Sequence, residues 1–488
     1  MSYDVVVVGG GFGGASCAAL LAKEGLKVLL LEKNENGGGK GQSEWVGGFN
    51  VSLFTHLCSG DKEIVWTLNE VGMGDRVKLV TVEPDVLLKD RSSGKYKSVK
   101  FSSASKFFTS SEMLIELAKV LDIPGSKFSS VAELFGTILS MEPSKIDLYD
   151  DVTLEELLSN YDIPQSLHSV LGAIVLLFFV DPIDLASAGE FIRTVQDLSK
   201  GNLCYPEGGI SSIPDAYVEA VRRNGGEVRL NTEVEGILIK DGGVVGVETK
   251  DGVDAAKVVV SNAGIQPTVL KLVGREHFDK AYINYVRGLM PSLGGIGIRY
   301  YLDKQVLDNS SYVAVADYGY SAEHFKAMKE GKFPEELLLY VTVPAAIDSR
   351  LAPEGEQALV AMTIALADIR GNYQQWLDKM DSTVGHIWPE IPKHTKSKDY
   401  FTSSKIAAKS RWSDVSEGYG GEVVGIAQIA GQCGAKRPNA KSPINGLFYV
   451  GFDAGGWGIG LEHAVRSGRY VAHLVRRTFE KQYLSKFW

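Results

Sequence analysis

Three glycines near the start of the chain have the spacing Gly9-x-Gly11-x-x-Gly14. They follow the apolar run 4–8 and precede the small-residue run 15–23, so they lie where a strand passes into a helix. Here Gly9 permits a tight turn, Gly11 lets a diphosphate approach the backbone, and Gly14 lets the helix pack closely on the sheet. The N–H groups at the helix start carry partial positive charge, which suits phosphates. The spacing therefore predicts a turn that binds a dinucleotide.

An acidic residue follows the second strand of this βαβ unit. Residues 27–31 form the strand, and Glu32 comes directly after it, where a carboxylate accepts hydrogen bonds from ribose hydroxyls. Glu32 would repel a 2′-phosphate, so the site is not expected to bind NADP. Phe12, Gly13 and Lys33 stand beside these motif residues and are expected to contact the same cofactor.

Two further glycine-rich loops could hold other parts of an extended cofactor. The first contains Gly39, Lys40 and Ser43, and the lysine would add charge for a second phosphate contact. The second follows the short strand 446–450 and leads, through 451–460, into the final helix. A strand that enters a glycine loop before a helix is again typical of a phosphate- or cofactor-binding turn.

Taken together, these motifs resemble the FAD-containing amine oxidase and phytoene desaturase superfamily. Within it the chain is most similar to the phytoene desaturase, carotenoid isomerase and retinol saturase branch. The resemblance also includes the segments Pro206-x-Gly208-Gly209, Glu233-Val234, 258–263 and Arg437-Pro438. It implies an α/β protein: a Rossmann-like FAD-binding domain of the glutathione-reductase-like type, with an interleaved α+β substrate domain.

The resemblance also implies a set of cofactor contacts. FAD would be bound non-covalently in an extended form, with Val234 at the adenine side and Asp453 at the ribityl–pyrophosphate region. The helix after Gly458 would direct its N-terminus at the flavin. Further FAD contacts are expected at Asn262, Ala263, Gly451 and Ile459.

The composition is that of a folded protein and excludes several classes. Of 488 residues, 44% are hydrophobic and 23% charged, which excludes a disordered chain. A net charge of −9 disfavours binding to the negatively charged backbone of nucleic acid, so no nucleic-acid partner is expected. The four cysteines form no CxxC pair and have no metal-ligand spacing with histidine, so we expect reduced thiols, a cytoplasmic location and no metal.

The longest apolar run is 170–180, which spans 11 residues and is too short to cross a bilayer. It predicts a buried helix, with an interfacial anchor as the alternative, so peripheral contact with a membrane stays open. The oligomeric state also stays open.

The pattern along the chain predicts two interleaved domains. Residues 1–77, 205–290 and 420–488 are expected to form the FAD-binding domain, and 78–204 and 291–419 the substrate-binding domain. The first inserted block is predicted to be mainly helical, with helices at 111–121, 130–139, 153–160 and 185–198. The second is predicted to contain the longer strands 294–302, 337–343 and 358–367.

Candidates for catalysis are few. His56 could lie near the flavin as a proton donor or acceptor, and the alternative is a hydrogen-bonded packing histidine. Trp457 could form a wall of the substrate pocket or only fill its loop. Glu462 opens the final helix and is expected to complement the helix dipole only.

The leading functional prediction is an FAD-dependent oxidoreductase that desaturates or saturates a carbon–carbon bond of a largely apolar substrate, such as an isoprenoid, by hydride transfer to or from flavin N5. The alternatives are a flavin amine oxidase, a redox-neutral isomerase that needs reduced flavin, and a non-catalytic escort-type binding protein. The chain has one dinucleotide fingerprint, so electrons are expected to pass through one shared flavin face or a diffusing partner. The identity of the electron donor or acceptor stays open.

Overall fold

The first βαβ unit lies at the centre of a seven-stranded sheet in the computed structural model, which describes residues 2–60, 63–89, 93–100, 111–315, 321–367, 373–410 and 420–484. Strand β1 (Ser2–Val8) pairs in parallel with β2 (Val28–Leu31) and, on its other side, with β13 (Gly252–Ser261). Helix α1 (Phe12–Lys23) connects β1 to β2. All four residues of β2 are buried, as expected for a parallel strand covered on both faces.

This sheet brings together segments that are far apart in sequence. Its other strands are β10 (Glu227–Arg229), β11 (Val234–Lys240), β12 (Gly243–Thr249) and β19 (Leu447–Tyr449). The order is β10-β2-β1-β13-β12-β11, and β19 pairs in parallel with β13. Because parallel strands end at the same edge of a sheet, the loops after β1, β13 and β19 meet there.

A second seven-stranded sheet has the order β18-β14-β17-β16-β15-β7-β8. Every residue of two of its neighbouring strands, β14 (Gly294–Leu302) and β17 (Gln357–Ala365), is buried, and both belong to the largest apolar core. Its strands are β7 (Asp85–Lys89), β8 (Tyr96–Lys100), β14 (Gly294–Leu302), β15 (Ser311–Val315), β16 (Leu339–Thr342), β17 (Gln357–Ala365) and β18 (Thr395–Phe401).

Two small sheets complete the described strands. A hairpin joins β3 (Ser43–Val46) to β4 (Phe49–Ser52). The other small sheet places β9 (Leu203–Pro206) between β5 (Cys58–Ser59) and β6 (Leu79–Thr81).

Helices pack on both large sheets and form a helical core of their own between residues 111 and 203. After α1, the described α-helices are α2 (Glu63–Glu70), α3 (Ser111–Val120), α4 (Gly125–Ser140), α5 (Pro143–Ile146), α6 (Leu154–Leu158), α7 (Gln165–Phe178), α8 (Ala188–Leu198), α9 (Ser212–Arg223), α10 (Ile265–Pro267), α11 (Lys280–Gly288), α12 (Ala322–Lys329), α13 (Gln374–Ile387), α14 (Glu390–His394), α15 (Ser403–Ser410) and α16 (Gly460–Leu484). Among the described residues no helix is both long and apolar enough to cross a membrane.

The helices predicted at 111–121, 130–139, 153–160 and 185–198 are present with shifted ends. The strand predicted at 294–302 has those bounds, and the strands predicted at 337–343 and 358–367 are present with shifted ends. The block from residue 78 is less helical than predicted, because it starts with β6, β7 and β8. Strands β7 and β8 join the second sheet, where tertiary pairing decides their conformation. The division into two interleaved domains stays a prediction.

Candidate active site

The loops at the end of the first sheet surround a cavity of about 1180 Å³, counting its solvent-open part. Most of its lining comes from three parts of the chain, after β1 and β2, after β13, and around β19 and the start of α16, and residues 232–234 and 423–424 contribute as well. Of the predicted cofactor residues, those that line the cavity are Gly9, Gly11, Phe12, Gly13, Glu32, Lys33, Gly39, Lys40, Val234, Asn262, Ala263, Gly451 and Asp453.

Glu32 is held rigidly at the end of β2. One carboxylate oxygen accepts a hydrogen bond from the Gly10 N–H (2.7 Å), and the other accepts two from the backbone (2.9 Å) and side chain (2.7 Å) of Asn34. Burial raises the pKa of Glu32, and the N–H groups of Asn34 and Gly10 lower it. Oε1 already accepts two of these hydrogen bonds, but Oε2 accepts only one, so Oε2 can still accept a hydrogen bond from a ligand in the cavity.

Asn262, after β13, connects two of the three loops. In the amide orientation that gives both its oxygen and its nitrogen a partner, Asn262 accepts a hydrogen bond from the Gly11 N–H (3.2 Å) and donates one to the Val450 carbonyl (3.1 Å). A Cβ at position 11 would stand 2.6 Å from the Asn262 Nδ2 atom, so only glycine fits there. The backbone around α1 is therefore open toward the cavity, as the approach of a diphosphate requires.

Two lysines line the cavity, but both also interact with protein groups. Lys40 Nζ donates to the Glu422 carbonyl (2.6 Å) and pairs with the Glu422 carboxylate (3.7 Å). Lys33 Nζ donates to the Ala408 carbonyl (3.1 Å), and burial lowers its pKa. The positive charge of Lys40 at the cavity wall is therefore partly neutralised by Glu422.

Asp453 secures the loop after β19. Its two carboxylate oxygens accept from the backbone N–H groups of Ile265 (2.9 Å) and Ile426 (3.1 Å). The loop is thereby tied to the segment after β13 and to the chain that passes over the cavity.

Six predicted site residues lie outside this cavity, and one of them, His56, is described with the second cavity below. Gly14 packs in the turn, where a Cβ would stand 2.1 Å from the Gly9 carbonyl oxygen, and Ser43 belongs to the β3–β4 hairpin. Gly458 donates its N–H to Glu190 (3.0 Å), and Ile459 lines a second cavity. The Trp457 ring lies under the Arg466 guanidinium, 3.9 Å away, and lines neither cavity.

The second cavity adjoins the first and is apolar. It measures about 1740 Å³ with its open part, and five residues line both cavities, namely Thr55, Val423, Val424, Gly460 and Leu461. Helix α7, strand β15 and the segment before β5 all contribute to its wall, mainly through aliphatic and aromatic side chains. Helix α16 begins at Gly460, so its N-terminus faces the place where the two cavities meet.

His56 lines the apolar cavity and is almost fully buried. Its Nδ1 atom is within hydrogen-bond distance of the Ser52 (2.8 Å) and Thr342 (3.0 Å) hydroxyls, while its Nε2 atom has no partner among the described residues. Burial, together with the Arg299 charge, lowers the pKa of His56 to about 3, so the ring is neutral near pH 7. The packing and the near-flavin interpretations are therefore compatible, since one ring nitrogen is packed and the other is open.

Glu462, in the first turn of α16, lines the same cavity and is 9% exposed. Neither carboxyl oxygen has a hydrogen-bond partner among the described residues. Burial raises the pKa of Glu462 to about 8, although the Arg466 charge and the nearby backbone N–H groups of Ile64 and Glu63 lower it. Sequence reasoning assigned this residue to the helix dipole alone, because its burial depends on what packs over the helix start.

A buried polar cluster holds the loop before α16. The Glu190 carboxylate accepts from the Gly458 N–H (3.0 Å), from Gln428 Nε2 (3.1 Å) and from the Arg437 guanidinium (3.2 Å). Glu190 and Arg437 come from parts of the chain 247 residues apart, so sequence spacing gave no signal for this pair. The cluster positions the helix start that both cavities share.

The first cavity fits FAD by its own chemistry. It combines a helix N-terminus without a side-chain cap, the close-approach position Gly11, and a buried carboxylate with an open lone pair. None of the four cysteines is among the described residues that line this cavity.

The comparisons with known proteins agree with this chemistry. The family model "Flavin containing amine oxidoreductase" matches residues 12–476. A phytoene desaturase of Cercospora nicotianae is 27% identical over 73% of this chain and 60% of its own length, and a neurosporene-forming phytoene desaturase of Rhodobacter capsulatus is 23% identical over 96% and 93%. The crystal structure of an oxidoreductase from Methanosarcina mazei superposes with a TM-score of 0.72 at 19% identity, covering 96% of this chain and all of that one, and shows the same fold.

The matched region begins directly after the turn that carries Gly9 and Gly11, and it includes the rest of the first cavity's lining, the apolar cavity and the start of α16. The chain therefore belongs to the flavin containing amine oxidoreductase family, and FAD is its cofactor.

Proposed function

We propose that the protein is an FAD-dependent oxidoreductase that removes or adds hydrogen across a carbon–carbon bond of a largely apolar substrate. The observation that carries the proposal is the apolar cavity that shares five lining residues with the cofactor cavity. When bound, FAD supplies the hydride acceptor or donor. The similarity to phytoene desaturases supports an isoprenoid-like substrate, although the Cercospora relative is matched over only 60% of its length.

The chain's own contribution would be positioning and exclusion of water. Val423, Val424 and Leu461 stand between the two cavities, so a substrate in the apolar cavity would reach the cofactor past aliphatic side chains. A C–H bond held against the flavin in a dry site needs no protein nucleophile. The titratable side chains His56 and Glu462 of this wall would then serve as proton-holding groups.

Anaerobic mixing tests the proposal. The purified FAD-loaded protein is mixed separately with isoprenoids, other lipophilic alkenes, acyl thioesters and amines, and the flavin absorbance is followed. We expect oxidised enzyme to be bleached, or chemically reduced enzyme to be reoxidised, by one class of lipophilic substrate. If only primary or secondary amines change the spectrum, the carbon–carbon assignment is wrong and an amine oxidase takes its place.

The position of the Trp457 ring argues against the amine oxidase alternative. For an amine oxidase we would expect a pair of aromatic side chains framing the flavin, and Trp457 would be the candidate for one of them. The ring instead lies under Arg466 and lines neither cavity, so it is not available for such a pair.

A further inference from the structure

Helix α7 presents one continuous apolar face to the second cavity. The residues of this helix that line the cavity have the spacing i, i+3, i+4, i+7, i+8, namely Val170, Ala173, Ile174, Leu177 and Phe178. Val170 and Ala173 are 8% and 6% exposed and the other three are more exposed, whereas Leu171 and Val175, which do not line the cavity, are 1% and 0% exposed. The helix rises about 1.5 Å per residue, so this face runs beside the cavity for about 12 Å.

The two ends of this face are distinguished by their neighbours. Beyond the C-terminal end, the Val180 carbonyl accepts from the Leu293 N–H (3.0 Å), and the Leu293 carbonyl accepts from the Val423 N–H (3.0 Å). Val423 lines both cavities, so this end of α7 adjoins the cofactor cavity. At the N-terminal end, Ser166 Oγ donates to the carbonyl of Leu121, which follows α3 and lines the apolar cavity (2.9 Å). The apolar cavity therefore extends along α7 away from the cofactor.

Strands β7 and β15 form another elongated wall of this cavity. They pair in parallel, with Val86 opposite Val313 and Leu88 opposite Val315, and all four residues line the cavity. Residues two apart on a strand lie on the same face and are about 6–7 Å apart. Among the described residues that line the cavity there is no lysine, arginine or aspartate. The space beside α7 therefore suits an extended apolar chain.

We propose that the substrate binds lengthwise along α7, with the reacting carbon–carbon bond at the Phe178 end and an extended apolar chain that passes Ala173 and Val170. The proposal rests on the proposed function and adds the direction and the length of the substrate. A face of about 12 Å matches about ten carbons of an extended chain, at about 1.25 Å per carbon. Ala173 has the smallest side chain on this face, so added volume there stops a chain partway along the helix.

Binding of a series of straight-chain alcohols tests the proposal without turnover. The even-numbered alcohols from butan-1-ol to tetradecan-1-ol are titrated into the FAD-loaded protein, and calorimetry gives each dissociation constant. Ala173→Phe and Val170→Phe place the same ring at two positions along α7, and Ala173→Leu is a smaller replacement at the first position. Leu171→Phe is the matched control, because it adds a ring to the same helix at a position that does not line the cavity. FAD content and circular dichroism report whether each variant is folded.

We expect the dissociation constant of wild type to fall by up to about fourfold for each added methylene. In Ala173→Phe and Val170→Phe this gain should stop at a limiting chain length. The limit should be about three or four carbons shorter in Ala173→Phe, because the two positions lie three residues, or about 4.5 Å, apart along the helix. Ala173→Leu should also have a shorter limit than Val170→Phe, and Leu171→Phe should keep the length dependence of wild type.

Three outcomes overturn the proposal. The same limiting length in Ala173→Phe and Val170→Phe, or no limit in either, would show that the chain does not follow α7, while the proposed carbon–carbon chemistry would stand. Equal weakening of every alcohol in Ala173→Phe and Leu171→Phe would assign the effect to a general loss of packing. Failure of every alcohol to bind wild type would remove the apolar substrate and thus the proposed function itself.

Discussion

Glu32 is the residue in the cofactor cavity whose charge state matters most for affinity. Its oxygens already accept from Gly10 and Asn34, and Oε2 can still accept one hydrogen bond at a site where ribose hydroxyls are expected. Glu32→Gln replaces one acceptor oxygen with a donor group and removes the charge. Charge-assisted hydrogen bonds contribute about 1.5–3 kcal/mol, so FAD affinity should fall by roughly ten- to a hundred-fold.

A fluorescence titration of the apoprotein with FAD measures this change. Glu233→Gln is the control, since Glu233 lines the same cavity but is exposed, and it should alter affinity by less than about threefold. Unchanged affinity in Glu32→Gln would show that Glu32 is not the ribose ligand.

Glu462 should make stability depend on pH in a defined window. Its pKa is raised from 4.5 to about 8, so between these values the folded protein holds a proton that the unfolded chain has released. The free energy of unfolding therefore falls as pH rises through this window and levels off above pH 8. Glu462→Gln cannot ionise, so from pH 5 to 8.5 its stability should improve relative to wild type by about 2–4 kcal/mol.

Urea unfolding of both proteins at saturating FAD checks this prediction. Arg466 and Glu63, which face Glu462, are present in both proteins. Their titration therefore cancels in the stability difference between the two proteins, unless it is coupled to that of Glu462. A stability difference that stays constant across the pH range would show that Glu462 is ionised when folded.

At the scale of elements, the contact between α1 and α16 sets the position of both helix starts. A Cβ at Gly468 would stand 2.2 Å from Ser16 Oγ and 2.8 Å from the Gly13 carbonyl oxygen, so the two helices touch at backbone distance. Gly468→Ala should separate them and reduce stability by about 1–3 kcal/mol. FAD affinity should fall as well, because Gly13 and the start of α16 both line the cofactor cavity.

Thermal unfolding and FAD titration of Gly468→Ala measure both effects. Gly136→Ala is the matched control: Gly136 lies in helix α4, and a Cβ there meets no atom within 4 Å. This exposed change should raise stability by about 0.5–1 kcal/mol through helix propensity and leave FAD binding unchanged. Equal effects of the two substitutions would argue against a tight α1–α16 contact.

At the scale of the whole molecule, most of the lining of the cofactor cavity comes from three parts of the chain, and none of the described lining residues is a cysteine. We therefore expect FAD to be held without a covalent bond. Acid precipitation should release all of the yellow colour into the supernatant. Colour that stays in the pellet would contradict this expectation and point to a covalent link through a histidine or another side chain.

The sequence alone determined the parts of this protein whose structure depends only on residues that are neighbours in the chain. Local spacing predicts the Gly9-x-Gly11-x-x-Gly14 turn, the strands β1 and β2, and the position of Glu32. These features need only a strand, a turn and a helix start that follow one another in the chain. The FAD cofactor followed from the same motifs through their resemblance to a known family, and the family match confirms it.

Only the tertiary structure decided which groups are buried together. Strand β6 pairs with β9 and strand β7 with β15, both distant in sequence, and Glu190 meets Arg437 across 247 residues. Trp457 was a candidate pocket wall until Arg466 was seen to cover it, and Glu462 was assigned to the helix dipole until its carboxyl was found buried in the apolar cavity. The physical reason is that burial and the pKa of a side chain depend on everything that packs around it, and local sequence does not contain those neighbours.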